Sequence, residues 1–212
     1  MPPHRSMTVA ERFDDPDDTR EAIMKATYDA LCTHGYADLT IQRIGDEFPK
    51  SKSLVYHHYD TKDELLLDFL SFMLEHFETS VPRQDYDDAA THLEAVLDHV
   101  VPDTLEDERA EFMRAMVELR AQAAHDPAYH EHFTRSTRFF HDRFVTIIER
   151  GIEEGVFREV DPDRVAAYLL ATVTGTMTQR TTADVEASIP AVREELRTYV
   201  ETRLRTEPRT PE

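Results

Sequence analysis

Apolar residues recur at intervals of three and four through nearly all of this chain, and prolines sit in the gaps between the runs. That spacing puts side chains on one face of a helix, and a proline is tolerated at a helix start or beyond its end but not inside it. Pro49, Pro82, Pro102, Pro127, Pro162 and Pro190 therefore punctuate a series of helices. Nowhere does apolar–polar alternation suggest a strand, so the fold class expected is all-α.

Local chemistry places the helix ends. Asp18, with Glu21 three residues on, opens the first helix as a capping box, and Gly35 stops it in a left-handed cap. Ala22, Ile23, Ala26, Ala30 and Leu31 face inward, and Tyr36 and Leu39 pack under the next loop. Thr40 caps a second helix that turns Ile41, Ile44 and Phe48 to the same core and ends at Pro49. Ser51 caps a third helix through Tyr59. Thr61-Lys62-Asp63-Glu64 is another capping box, and it starts a long helix carrying Leu65, Leu66, Phe69, Leu70, Met73 and Phe77. Further helices are expected at 87–101, 104–125, 128–154, 162–182 and 189–205, the fourth opened by Asp161-Pro162 and the last capped by Ser188.

Composition narrows the setting. The lone Cys32 forms no internal disulfide, so packing must stabilise the chain, as in a reducing cytoplasm. The N-terminal stretch has no apolar signal core, and the longest apolar run, Val165 to Val173, is too short to span a bilayer. The expectation is a cytoplasmic protein with no membrane partner. Acidic residues outnumber basic ones 43 to 24, giving a net charge of −19. That balance resembles the surfaces of proteins from salt-accumulating halophiles. The acidity is uneven: residues 1–62 carry 8 basic and 11 acidic side chains, and the rest carry 16 and 32.

Against this background three of the four lysines, Lys50, Lys52 and Lys62, fall between Thr40 and Lys62, together with Tyr56, His57 and His58. A chain this acidic that gathers its lysines in one helix–turn–helix pattern is presenting it to an anion, and duplex DNA is the expected partner. No nucleophile elbow or glycine-rich phosphate loop is present, so no catalytic residues are expected. His130 and His132 diverge on a helix, and His92 and His99 lack a third ligand nearby in sequence, so neither a metal nor a cofactor is expected. The competing reading is an acidic helical module whose head binds a protein.

Ile44, Ser51, Tyr56, Tyr59, Lys62 and Leu65, preceded by Gly35 and Thr40, have a spacing that resembles the helix–turn–helix of TetR-type (tetracycline-repressor-like) transcriptional regulators. Downstream, Gly151 to Phe157 followed by Asp161-Pro162 resembles that family's stop between its seventh and eighth helices. Pro49 and Lys50 depart from the usual turn residues. Gly45 stands where alanine is usual and loosens the second helix by about 1 kcal/mol.

The resemblance implies a three-helix DNA-binding domain at 18–64 and a six-helix ligand-binding and dimerisation bundle at 65–206; the leading prolines, Pro16 and the lack of periodic pattern make 1–17 a flexible tail, and 207–212 is expected to be another. In such a head the third helix enters the major groove. Lys52 and Ser53 then meet base edges, and Tyr56 and His57 reach a base or the sugar-phosphate. Ser51 belongs to the same surface, Lys62 takes a phosphate at a helix start, and Thr40 and Lys50 clamp the backbone. His58 is a weaker candidate. The resemblance further implies a homodimer through the last two helices, where Ala166, Ala167, Ala171, Thr174 and Gly175 allow close approach. It implies a small hydrophobic or amphipathic effector held among Phe72, Phe112, Met116 and Phe140 that releases a repressor from a palindromic operator.

Overall fold

The Asp18 carboxylate accepts the Glu21 N–H at 2.9 Å, and α1 runs from Thr19 to His34 before Gly35 turns it at φ 66°. Thr40 repeats the device, its Oγ1 accepting the Arg43 N–H at 3.1 Å to open α2 (Ile41–Glu47). These are elements of a computed structural model, which describes the backbone of residues 18–80 and 86–206 and their side chains except at 76–80 and 186. The expected tails, Pro82 and the Phe77 side chain lie outside the described residues.

Ser51 occupies the N-cap position of α3 (Lys52–His58) but caps nothing, because its hydroxyl shares a 2.8 Å hydrogen bond with that of Ser53. α4 (Lys62–Ser80) begins as expected: Thr61 Oγ1 accepts the Glu64 N–H at 3.1 Å. The Glu64 carboxylate reaches back to the Asp60 N–H at 3.0 Å, one residue earlier than a capping box requires.

The remaining helices are α5 (Ala89–Val100), α6 (Asp107–Gln122), α7 (Pro127–Glu153), α8 (Pro162–Thr182) and α9 (Ile189–Tyr199), with a 3-10 turn at Glu186–Ser188 before the last. α5 starts later than expected because Asp88, not a residue ahead of it, accepts the Thr91 N–H at 2.7 Å. α6 also starts late. Arg193 donates to the Val101 carbonyl and Arg180 to those of Pro102 (2.5 Å) and Asp103 (2.9 Å), which holds that stretch out of helix. The Ser188 hydroxyl donates to the Val185 carbonyl at 2.8 Å instead of capping α9. α9 stops short of its expected end, and a π-helical stretch, Val200–Leu204, follows and buries Val200 and Leu204.

α7 ends in a Schellman arrangement. The Val156 N–H donates to the Gly151 carbonyl and the Gly155 N–H to that of Ile152, both at 3.0 Å, with Gly155 at φ 72°. The chain then lays the Phe157 ring directly on Gly151, where an added Cβ would stand 2.0 Å from Phe157 Cδ2. Beyond it, the Arg158 N–H donates to the Leu204 carbonyl at 2.7 Å and the Thr206 N–H to that of Val156 at 3.0 Å, tying the end of the last helix to this corner.

Among the described residues the elements are helical, apart from an isolated bridge between Phe157 and Arg205, and no helix is long and apolar enough to cross a membrane. They fall into two compact units. One contains α1 to α4, α6 and α7 through Thr134; the other contains α5, α7 from Arg135, α8 and α9. The core of the first unit is one cluster joining Ile23, Leu31, Ile44 and Val55 to Leu66, Phe69, Phe112, Leu119 and Tyr129. The three-helix head therefore shares its core with α4 and α6 rather than closing on itself at residue 64. The core of the second unit gathers Leu93, Leu97, Phe144, Ile148, Val165, Leu169, Leu196 and Leu204.

Candidate nucleic-acid interface

α3 presents two faces. Val55 is buried, Leu54 half-buried, and Tyr59 just past the helix is buried too, so one side is anchored in the core. Ser51, Lys52, Ser53, Tyr56, His57 and His58 are exposed on the other, Tyr56 by 53 %. An exposed tyrosine beside lysine, serine and histidine on a short helix is suited to hydrogen bonds with base edges and phosphates.

The anchor has a polar centre. Asp68 of α4 accepts from Arg20 at 2.6 and 3.1 Å and from the Tyr59 hydroxyl at 2.5 Å, joining α1, the end of α3 and α4. Burial works against the Asp68 charge, but the bonds from Arg20 and Tyr59 outweigh it and hold the carboxyl below its ordinary value. Burial and the Asp68 charge push the Tyr59 hydroxyl up, so it stays a donor. The loop between α1 and α2 is tied to α6, the Tyr36 N–H donating to Glu118 at 3.0 Å, and the start of α4 is tied to α7, the Tyr129 hydroxyl donating to Asp63 at 3.0 Å.

The three expected lysine contacts are each engaged within the protein. Lys50 is exposed, its Nζ 3.4 Å from the Thr19 hydroxyl. Lys52 pairs with Asp46 of α2. Lys62 is half-buried, its ammonium 4.3 Å above the Tyr36 ring and 3.4 Å from the Tyr36 carbonyl. Thr40 is exposed but spends its hydroxyl oxygen on the α2 cap. Ser53, Tyr56 and His57 remain on the outer face, with the His57 ring 5.9 Å from that of His58. Sequence reasoning missed Asp46, and Arg43, whose guanidinium donates to the Asp38 carbonyl in the loop before α2. An acid six residues before Lys52 across a glycine-containing helix end was the available signal for the first.

The expected effector residues divide between the units. Phe112 is buried with its ring 4.8 Å from Tyr28 and 6.3 Å from Phe69, so its neighbours there are core rings. Phe72 is half-buried under the Arg20 guanidinium at 5.3 Å, and Met116 packs half-buried against the same cluster. Phe140 belongs to the second unit and meets Phe139 at 5.1 Å. In that unit a cleft of about 110 Å³ between α5 and α9 is lined by Glu94, Asp98, Arg193 and Arg197 among others. His92 stacks on Tyr86 at 4.6 Å, and burial together with Arg143 and Arg150 holds its pKa down. Among the described residues no three His, Cys, Asp or Glu side chains gather as metal ligands.

Comparison with known proteins places these features. Residues 23–69 match the model for bacterial regulatory proteins of the tetR family, and residues 89–205 match that for the C-terminal part of BetI-type transcriptional repressors. The HTH-type transcriptional repressor AcnR of Corynebacterium glutamicum is 26 % identical over 165 residues, 76 % of this chain and 80 % of the relative. A TetR transcription regulator from Haloarcula marismortui is 36 % identical and superposes with a TM-score of 0.77, covering 88 % of this chain and 98 % of the other. A putative transcriptional regulator from Saccharomonospora viridis, solved in complex with choline, shares the fold at 20 % identity with a TM-score of 0.74, covering 89 % and 98 %.

Proposed function

The chain belongs to the TetR family of bacterial regulatory proteins, DNA-binding transcriptional regulators rather than enzymes, and from that premise we propose a homodimeric repressor that reads a palindromic operator through α3. The observation that carries the reading is the two-faced α3, with Val55 and Tyr59 locked to the core and Lys52, Ser53, Tyr56 and His57 turned outward. Lys52 and Ser53 take base edges, and Ser51, Tyr56 and His57 complete the groove contact. Thr40, Lys50 and Lys62 set register on phosphates.

The second unit supplies the dimer through α8 and α9. Ala167, Ala171 and Gly175 are exposed along α8 and Thr174 half-buried, whereas Ala166, expected with them, is buried in the unit's own core; beside them a 46 % exposed Tyr168 has its ring 4.6 Å from Tyr199. These small side chains with one aromatic pair suit a close helix-to-helix approach. The effector is a small apolar or amphipathic molecule that contacts Phe72, Phe112 and Met116, and it acts by favouring a conformer in which the two heads no longer match the operator.

Selection from a duplex library with a random centre tests the proposal on the full chain. An inverted repeat should be enriched, with half-site centres about one turn, roughly 34–36 Å, apart. Retention without sequence enrichment, at every KCl concentration where the protein is folded, overturns it. Mass spectrometry of small molecules that co-purify and release the selected duplex identifies the effector.

A further inference from the structure

We propose that Asp46 is a specificity-determining positioning residue, which, with Gly45 as its seat, holds Lys52 on one line of approach to the DNA. The proposal rests on α3 being the reading helix. Gly45 is buried in the last turn of α2, and the Lys52 stem lies flat against it. A Cβ added at Gly45 would stand 3.3 Å from Lys52 Cβ, 3.2 Å from Cγ and 3.5 Å from Cδ. The stem then delivers the ammonium to the Asp46 carboxylate, and both side chains are about half exposed, 49 % and 50 %. The direction of Lys52 is therefore set by α2 and not by the free swing of a four-carbon chain from the first turn of α3.

Two consequences follow for recognition. A lysine is a compact charge on a flexible stem and meets any phosphate within reach. Tethered to Asp46, it is removed from that indiscriminate role and presented from one fixed place, where its remaining N–H donors are open to a base edge. The carboxylate also stands beside Lys52 as a negative charge that a phosphate repels, so non-specific duplex loses both an attraction and a register. Asp46 weakens binding to DNA at large in order to sharpen the choice among sequences.

The test uses the full-length protein with two probes: the duplex enriched from the random library and a mixed-sequence duplex of the same length. Asp46→Asn should raise affinity for the mixed-sequence duplex, and the magnitude of its salt slope should grow by about 0.9 as Lys52 gains a phosphate, or about eightfold in affinity per tenfold dilution of salt. Affinity for the enriched duplex should rise less, so the ratio between the probes falls. Asp46→Glu should restore much of that ratio, and Asp46→Asn made in a Lys52→Ala background should raise affinity for the two probes only slightly and equally, from the lost repulsion, with the salt slope unchanged. Gly45→Ala displaces the stem without altering charge, and should lower the ratio at an unchanged salt slope. An unchanged mixed-sequence slope in Asp46→Asn, or an equal effect of that change with and without Lys52, overturns the proposal while leaving α3 as the reading helix. Failure of the wild-type protein to prefer any duplex removes that reading and the proposal with it. Circular dichroism of each variant separates these outcomes from misfolding, and Asp46 and Lys52 are exposed enough that their replacements should fold.

Discussion

Gly151→Ala should destabilise the protein although it places a better helix former inside a helix. Alanine gains about 1 kcal/mol over glycine at such a position. Its methyl, however, would stand 2.0 Å from Phe157 Cδ2, 2.5 Å from Cε2 and 2.8 Å from Cγ. The ring must leave or the helix end must move. Expelling Phe157, now 2 % exposed, costs about 2–3 kcal/mol of burial. Moving the backbone strains the bonds from Phe157 to Gly151 (2.9 Å) and from Arg158 to Leu204 (2.7 Å), and such overpacking costs about 1–3 kcal/mol. The net loss is about 1–2 kcal/mol, or roughly 2–8 °C in Tm for a chain of this length. Thermal unfolding followed by far-UV circular dichroism reads it directly. Shortening the ring in Phe157→Leu should shrink the penalty of Gly151→Ala measured in that background. It should leave untouched the penalty of Gly155→Ala, where nothing lies within 4 Å and the φ of +72° is the obstacle. A Gly151→Ala protein as stable as wild type, or no coupling to Phe157, refutes the steric account.

Asp68 gives a pH prediction with a definite sign. Its folded-state pKa lies below the unfolded one, so its contribution is complete at neutral pH and is lost as pH falls from about 4 through the lowered value. Asp68→Asn should reduce stability by about 1–3 kcal/mol at neutral pH and flatten the acid limb of a urea-midpoint profile; an unchanged limb counts against the Arg20–Asp68–Tyr59 anchor. Lys62→Ala should weaken binding to every duplex and reduce the salt slope by about 1, and a change confined to one sequence would argue against a phosphate role. A surface of net charge −19 repels itself most at low salt, so Tm should rise as KCl is raised towards molar concentration; a flat or falling Tm would reject the halophile-like reading.

What could be read in advance was local chemistry. Asp18, Thr40, Thr61 and Asp161 cap their helices because a short side chain finds an N–H three residues away whatever the rest of the chain does. Ser51 and Ser188 carry the same signal and fail, since Ser53 and the Val185 carbonyl offer competing bonds. The late start of α6 depends on Arg180 and Arg193, whose partners lie 77 to 92 residues away, and no window of sequence contains them. At the interface, the outward row on α3 followed from helical spacing, whereas the parking of Lys50, Lys52 and Lys62 on Thr19, Asp46 and Tyr36 did not. Gly45 shows the difference most clearly. By propensity it is a weak point in α2; in the fold it is the surface on which Lys52 lies.

The unbroken core of the first unit also bears on how such regulators diversify. Val55 of α3, Phe69 of α4, Leu119 of α6 and Tyr129 of α7 are buried in one cluster. A chimera that took residues 18–64 from a relative would import a recognition helix whose floor had been shaped against someone else's α4 and α6. A crossover after α4 would still leave the cluster half foreign, because α6 and the start of α7 complete it. Wholesale exchange of heads would therefore require this cluster to be repacked. Under the proposed reading, point replacements on the open face of α3 and at Asp46 would shift the preferred site while leaving the shared interior intact.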